Sequence, residues 1–288
     1  MLVRVYPSNL TTQQKRACHL DYIEGVLAKV GVGVSGTEGA IRYVTHDRHV
    51  LEAYSDSAGY PNGIAAKLVD KAGLQQVMLE FGFPTLKSQL ITDVDSITLS
   101  DFIIKCRISS GKLGVTKNGM PLENAFNGVP FKNKEALKKH PLFNPVFFTS
   151  GDFIAQQDAG IRKHTLATVA AVANSNSELL FLRNTTDEWK FLERKSTTLA
   201  FNIYPELNAK IQEFFKLHGI KNSSVTVQFV IKDGEYYPVD WNFRFGINMC
   251  KEMLARNPIE FETAILHMIG NTTTSQFTYT DTWVTEFK

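Results

Sequence analysis

The chain has 288 residues and a formal net charge of +2, with 43% hydrophobic and 21% charged residues. That balance suits a globular protein of one large or two modest domains, and the near-neutral charge gives no global attraction to nucleic acid. No apolar run approaches the roughly 20 residues a membrane helix needs. The start, MLVRVYPSNLTTQQ, turns polar too soon for a secretory signal, and Cys18, Cys106 and Cys250 are too few and scattered for a disulfide or zinc framework, so a cytoplasmic protein is the default.

Residues 1–66 read as a short leading domain. Thr11 or Thr12 can cap a helix whose apolar positions Ala17, Leu20, Ile23, Leu27 and Val30 recur at helical spacing. Residues 31–36, GVGVSG, match the spacing of a dinucleotide fingerprint. They follow a helix and run into the strand-like residues 40–44, whereas the fingerprint must leave a strand and open a helix, so the match is read as a decoy. Residues 54–63 form a loop. The pattern over residues 64–81 predicts one helix with Asp70 and Lys71 near its middle, followed by a turn at Gly82-Phe83-Pro84.

The next stretch, DFIIKCRISSGKLGVTK, predicts a strand ending on Lys105 and a loop containing Ser109, Ser110, Gly111 and Gly114. Ser and Gly let backbone N–H groups approach phosphate oxygens, and Lys105 can neutralise their charge, which is the composition of a phosphate flap. The plainer alternative is a hairpin turn with surface lysines. Residues 131–140, FKNKEALKKH, read as a basic helix with a solvated face. Residues 152–160, DFIAQQDAG, supply a strand and a turn, and residues 164–173 and 179–183 read as paired strands joined by NSNSE. Glu193, Arg194 and Lys195 form a surface charge cluster. An amphipathic helix spans residues 205–218 and ends at Gly219. Helices are expected again over residues 245–255 and 258–269, and from Asn271 a Thr-rich edge or frayed tail.

Between those helical stretches lies VTVQFVIKDGEYYPVDWNFRFG, residues 225–246, which reads as two strands around an Asp233-Gly234 turn. Gln228, Asp240, Asn242 and Arg244 combine oxygen ligands with a cation, a set suited to a magnesium-nucleotide site. Register decides whether they meet. A regular two-residue turn would set Gln228 opposite Val239 and throw Asp240 onto the other face of the sheet. A shared face therefore needs a three-residue loop closing with Gly234 in the left-handed region, so the loop between Ile231 and Tyr236 is expected to be odd in length or bulged. The plainer alternative is an edge hairpin with a solvated polar face.

This pattern, a strand with Gln, a turn and then acid-x-Asn-x-Arg, resembles the metal-binding hairpin of ATP-grasp enzymes, particularly the carbamoyl phosphate synthetase, biotin carboxylase and D-alanine ligase branches. The usual Glu is Asp240 here, and Phe243 stands where Pro usually follows the Asn. Asp70-Lys71 resembles the dipeptide that opens a helix before the lid in the D-alanine ligase type, and Lys105 the lysine under the lid's glycine loop, with Cys106 in place of the usual Pro. At the hinge, Gln156 and Gln157 stand where the first acid is expected and Asp158 follows.

The resemblance, covering residues 64–256, implies an α+β ATP-grasp fold. Its nucleotide site would lie between a small lid subdomain, about residues 101–158, and a larger antiparallel-sheet subdomain, with residues 67–288 as the ATP-grasp domain behind a short α/β N-terminal domain. It implies ATP and Mg²⁺ as cofactors, and activation of a carboxylate as an acyl phosphate for attack by an amine or similar nucleophile. Lys71, Lys105, Ser110, Gly111, Gly114, Gln156, Gln157 and Asp158 would hold the nucleotide and Gln228, Asp240 and Asn242 the metal. Lys105 and Arg244 would act on the transferred phosphoryl group. The implied partners are small-molecule carboxylate and amine substrates, with a homodimer left open and no membrane. Two other readings are kept: a nucleotide-binding or regulatory protein without ligase chemistry, suggested by Asp240 and the missing hinge acids, and a nucleic-acid module on the basic residues 105–139, which lack interleaved aromatics beyond Phe126 and Phe131.

Overall fold

The computed structural model describes residues 1–6, 12, 19–36, 39, 41–44, 50–53, 63–108, 126, 129–160, 164–190, 193–199, 204–271 and 283–287. In chain order it opens with β1 (Leu2–Tyr6), α1 (Leu20–Lys29), β2 (Gly33–Ser35) and β3 (Ile41–Val44). Both β2 and β3 pair with β1 in parallel. The glycine motif at residues 31–36 thus contains a strand, and among the described residues no helix opens on it.

Two helices, α2 (Val50–Ala53) and α3 (Ile64–Val69), lead to α4 (Lys71–Glu80). One helix was expected over residues 64–81, and the structure has two. Asp70 adopts extended backbone (φ −78°, ψ 113°), and its carboxylate accepts from the amide of Ala72, so it ends α3 and caps α4. Two apolar faces in sequence had read as one period. At Gly73 a Cβ would sit 2.6 Å from the Lys67 carbonyl oxygen, so the absent side chain lets the start of α4 lie tight against α3.

A small antiparallel sheet follows, built from β4 (Ser88–Ile91), β5 (Phe102–Cys106), β6 (Pro130–Phe131) and, after α5 (Lys134–Lys138), β7 (Phe153–Gln157), in the order β4-β7-β5-β6. It therefore takes in residues ahead of position 101. One face buries Phe102, Ile104 and Cys106 with Phe126, Phe148 and Phe153 in a core of its own. The other carries Lys105, which pairs in register with Ile154.

The large sheet contains β8 (Thr165–Ala173), β9 (Leu179–Phe181), β10 (Asn184–Lys190) and β11 (Glu193–Leu199). After α6 (Pro205–His218) come β12 (Ser223–Lys232) and β13 (Glu235–Asn242), then α7 (Ile247–Arg256), α8 (Pro258–Met268) and β14 (Trp283–Phe287). Its strand order is β13-β12-β8-β10-β11-β14, with β9 beside β8. The Thr-rich tail ends as the edge strand β14, paired with β11. In β8, Val169, Ala171 and Ala173 pack toward α3, α4 and α6, while Ala170 and Val172 pack toward α1, α7 and α8. Burial on both faces explains why TLATVAAVA is almost continuously apolar.

Gln75, buried within α4, ties these parts together. Its Nε2 donates to the Pro238 carbonyl of β13 at 2.7 Å, and its Oε1 accepts from the Leu86 amide at 2.8 Å. Replacing Gln75 with Leu strands a buried N–H and a buried C=O. The expected loss, read by chemical denaturation, is about 2–4 kcal/mol, because each unsatisfied buried group costs about 1–3 kcal/mol.

Candidate active site

The hairpin β12–β13 closes through a tight two-residue turn, with Asp233 at φ 53° and Gly234 at φ 82°. Both lie in the left-handed region, as a type I′ turn requires. The expected three-residue loop is absent. Parity is restored further along instead: Phe229 pairs with Pro238 and Gln228 with Asp240, so Val239 is an extra residue bulged out of β13. Asp240 then pairs across from Gln228, and Asn242 from Thr226, all on one face. The bulge occupies the sheet edge, where Pro238 is tolerated because no ladder partner needs its missing N–H.

The bulge also turns two carbonyls outward to side chains of other elements. Pro238 O accepts from Gln75, as above, and Val239 O accepts from Lys105 Nζ at 3.0 Å. Lys105 thus leaves the small sheet and reaches the hairpin. From the start of α4, Lys71 Nζ lies 3.2 Å from Asp240 Oδ1, with its side chain 12% exposed. Asn242 donates from Nδ2 to Asp240 Oδ2 at 3.1 Å. One carboxylate therefore faces two ammonium groups supplied by different parts of the fold.

The electrostatics follow from that crowding. Burial, partly offset by Asp240 and reinforced by Lys71, holds the Lys105 ammonium down to about 8. For Asp240, burial favours the neutral acid, but the charges of Lys71 and Lys105 and the Asn242 hydrogen bond outweigh it and hold the carboxyl below its ordinary value. Asp240 is ionised at neutral pH. Arg244 sits just past β13, half-buried, with Nη1 donating to the Phe245 carbonyl at 3.3 Å, and the Thr226 hydroxyl donates to the Arg244 carbonyl at 3.0 Å.

The remaining predicted residues fall as follows. Gln156 is fully buried in β7; its Nε2 donates to Ser88 Oγ at 3.1 Å, and its Oε1 has no hydrogen-bond partner among the described residues. Gln157 is exposed at the strand end, its Oε1 accepting from the Lys87 amide at 3.4 Å. Asp158 uses its carboxylate to accept from the Gly160 amide, closing its own turn. Ser110, Gly111 and Gly114 lie outside the described residues. Sequence reasoning missed Gln75 and Arg107. For Gln75 only its place on the inner face of α4 was a signal, and for Arg107 only its charge two residues beyond Lys105.

A small antiparallel sheet, a large antiparallel sheet and a hairpin at its edge are a recognisable arrangement. N5-carboxyaminoimidazole synthetase from Staphylococcus aureus, complexed with ADP, superposes with a TM-score of 0.65 at 13% identity over 98% of this chain and 81% of that one. The chain has the ATP-grasp fold. Other structures similar to this chain are a biotin carboxylase complex from Campylobacter jejuni (TM-score 0.58, 12% identity, 95% and 72% covered) and an L-amino acid ligase from Bacillus licheniformis (0.54, 11%, 85% and 59%). No family model and no curated protein matches the sequence.

Among the described residues no cluster of three or more His, Cys, Asp or Glu could hold a metal. The β12–β13 hairpin offers one carboxylate, Asp240, and two amide side chains, Gln228 and Asn242, instead. These are hard oxygen donors on one face, which fits Mg²⁺, an ion that binds one or two carboxylates and completes its shell with water and phosphate.

Proposed function

We propose that this chain is an ATP-dependent ligase that activates a carboxylate as an acyl phosphate for attack by an amine or similar nucleophile. The observation that carries the reading is the convergence of Lys71, Lys105 and Asp240 at the bulged edge of β13, each from a different element. Folding two lysines against one carboxylate is costly, and such perturbed groups concentrate where charge is to be handled. The similar structures are named as a synthetase, a carboxylase and a ligase, and one holds ADP.

In this reading Lys71 and Lys105 bind the phosphates of ATP, and Gln228, Asp240 and Asn242 hold Mg²⁺. Bound there, Mg²⁺ would neutralise phosphate charge as phosphorus–oxygen bonds change. Lys71 releases Asp240 Oδ1 and turns to phosphate, so the site exchanges one neutralised arrangement for another. Arg244 presents its guanidinium to the transferred phosphoryl group or the acyl phosphate. The rest of the chemistry is positioning and charge stabilisation, as phosphoryl transfer requires. We place residues 1–66 as a leading domain and residues 67–288 as the ATP-grasp domain, with the lid, about residues 101–158, on the small sheet. No described helix is long and apolar enough to cross a membrane.

The test is phosphate release from ATP across paired panels of small carboxylates and amines, amino acids included. Release that requires both members of a pair is the expected result. MgATP binding without release under any pair would favour a nucleotide-binding regulator, and binding of neither nucleotide nor substrate would remove both readings.

A further inference from the structure

Asp70 uses its two carboxylate oxygens for different purposes. Oδ1 accepts from the Ala72 amide at 3.1 Å, capping α4. Oδ2 accepts from Arg107 Nε at 2.9 Å and from Arg107 Nη2 at 2.7 Å. The backbone adds a parallel connection, because the Lys71 amide donates to the Arg107 carbonyl at 3.0 Å. The Arg107 amide in turn donates to the Asp152 carbonyl, at the entry to β7, at 2.8 Å. Arg107, the first residue past β5, is thus held to α4 and to its neighbouring strand together. It lies two residues beyond Lys105, and Asp70 is the residue before Lys71.

We infer that Asp70 and Arg107 are positioning residues for polyphosphate: their clasp locks the N-terminus of α4 to the end of β5 and so fixes where the ammonium groups of Lys71 and Lys105 stand relative to each other. This rests on the nucleotide reading of the site. A helix cap alone needs only Oδ1, so the second oxygen and the guanidinium fork are unexplained by capping. Two guanidinium donors converging on one oxygen restrict the relative orientation of the two elements more than a single lysine ammonium contact would. The pair is also a poor candidate for a stability device, since the Arg107 side chain is 39% exposed and exposed ion pairs contribute little. Two lysines on separate elements gain affinity for neighbouring phosphates only if their spacing is fixed before binding.

Three variants separate orientation from folding. Asp70→Asn keeps an oxygen for the Ala72 amide, since Asn caps helices as well as Asp, and removes the charge that holds Arg107. Arg107→Met removes the fork, and Arg107→Lys keeps the charge without it. Dissociation constants for MgATP and for adenosine, measured calorimetrically beside melting curves, give the readout. The expected result is MgATP affinity lowered about tenfold in Asp70→Asn and Arg107→Lys and about tenfold or more in Arg107→Met, the equivalent of one charge-assisted contact. Adenosine affinity and melting temperature should stay near those of the parent. Lys132→Met, which removes an exposed lysine 3.8 Å from Asp101, should match the parent throughout. Parent-like MgATP affinity in both Asp70→Asn and Arg107→Met overturns the clasp while leaving the nucleotide site intact. Equal losses for adenosine and MgATP also overturn it, because they would report general damage. A parent that binds no MgATP removes the nucleotide reading itself.

Discussion

Replacing Asp240 with Asn is expected to lower substrate-dependent ATP consumption by about 10²–10³-fold, the usual cost of one electrostatic contact to a transition state. The substitution keeps shape and removes the only carboxylate of the proposed metal trio, leaving a hard cation with neutral oxygens. A sequence-only view of an exposed Asp suggests a stability change of about 0.5 kcal/mol or less. The structure raises that figure, because Asp240 lies 3.2 Å from the largely buried Lys71 and near Lys105. Without the carboxylate, two crowded ammonium groups lose their counter-charge, and a cost of about 1–3 kcal/mol follows. Since the folded Asp240 pKa is depressed, its contribution is present above the unfolded carboxylate pKa of about 3.9 and is lost as the pH falls through the lower folded value. Parent and variant should therefore differ in denaturant midpoint at pH 7 and converge at strongly acid pH. Equal turnover in the two proteins would remove Asp240 from the reaction, whatever the melting curves show.

The hairpin's irregularity was legible in the sequence because strand parity is strict. Once Gln228, Asp240 and Asn242 were required to share a face, an irregularity somewhere between them was unavoidable. Its location was not legible. The Asp-Gly turn has the same composition whether or not a bulge follows, and the choice of Val239 depends on carbonyls that Gln75 and Lys105 reach from elements 134 or more positions away in the chain. Likewise, the apolar period over residues 64–81 could not show that Asp70 interrupts it, since a capping Asp and a surface Asp look alike until Arg107 is brought beside it. The fold class followed from the order of local motifs, whereas Gln75 and Arg107 act through contacts between distant segments, which periodicity does not encode.

Lys105 should show function and stability pulling in opposite directions. Its pKa of about 8 in the folded protein lies below the ordinary 10.5. Between those values the unfolded chain holds a proton that the folded chain has released, so this group makes stability rise with pH over that interval, and below about 8 the penalty for a buried ammonium is carried in full. A lysine held near 8 costs about 3 kcal/mol at most, and solvent reaching the half-buried side chain lowers that to about 1–2 kcal/mol. Lys105→Met is therefore expected to unfold at higher denaturant concentration than the parent at pH 7, and to lose that advantage near pH 10. The same substitution should weaken MgATP binding by about 10²-fold, since phosphate needs the charge that folding disfavours. In the parent, phosphate stabilises the ammonium, so binding takes up a proton above pH 8, and affinity should fall by up to about tenfold per pH unit beyond that point. Lys105→Arg stays charged throughout this range and should flatten the profile. Calorimetric titrations of all three proteins from pH 6.5 to 9.5 read both effects. A parent profile as flat as that of Lys105→Arg would mean that Lys105 does not meet the phosphates, and its hydrogen bond to Val239 would then be a purely structural contact.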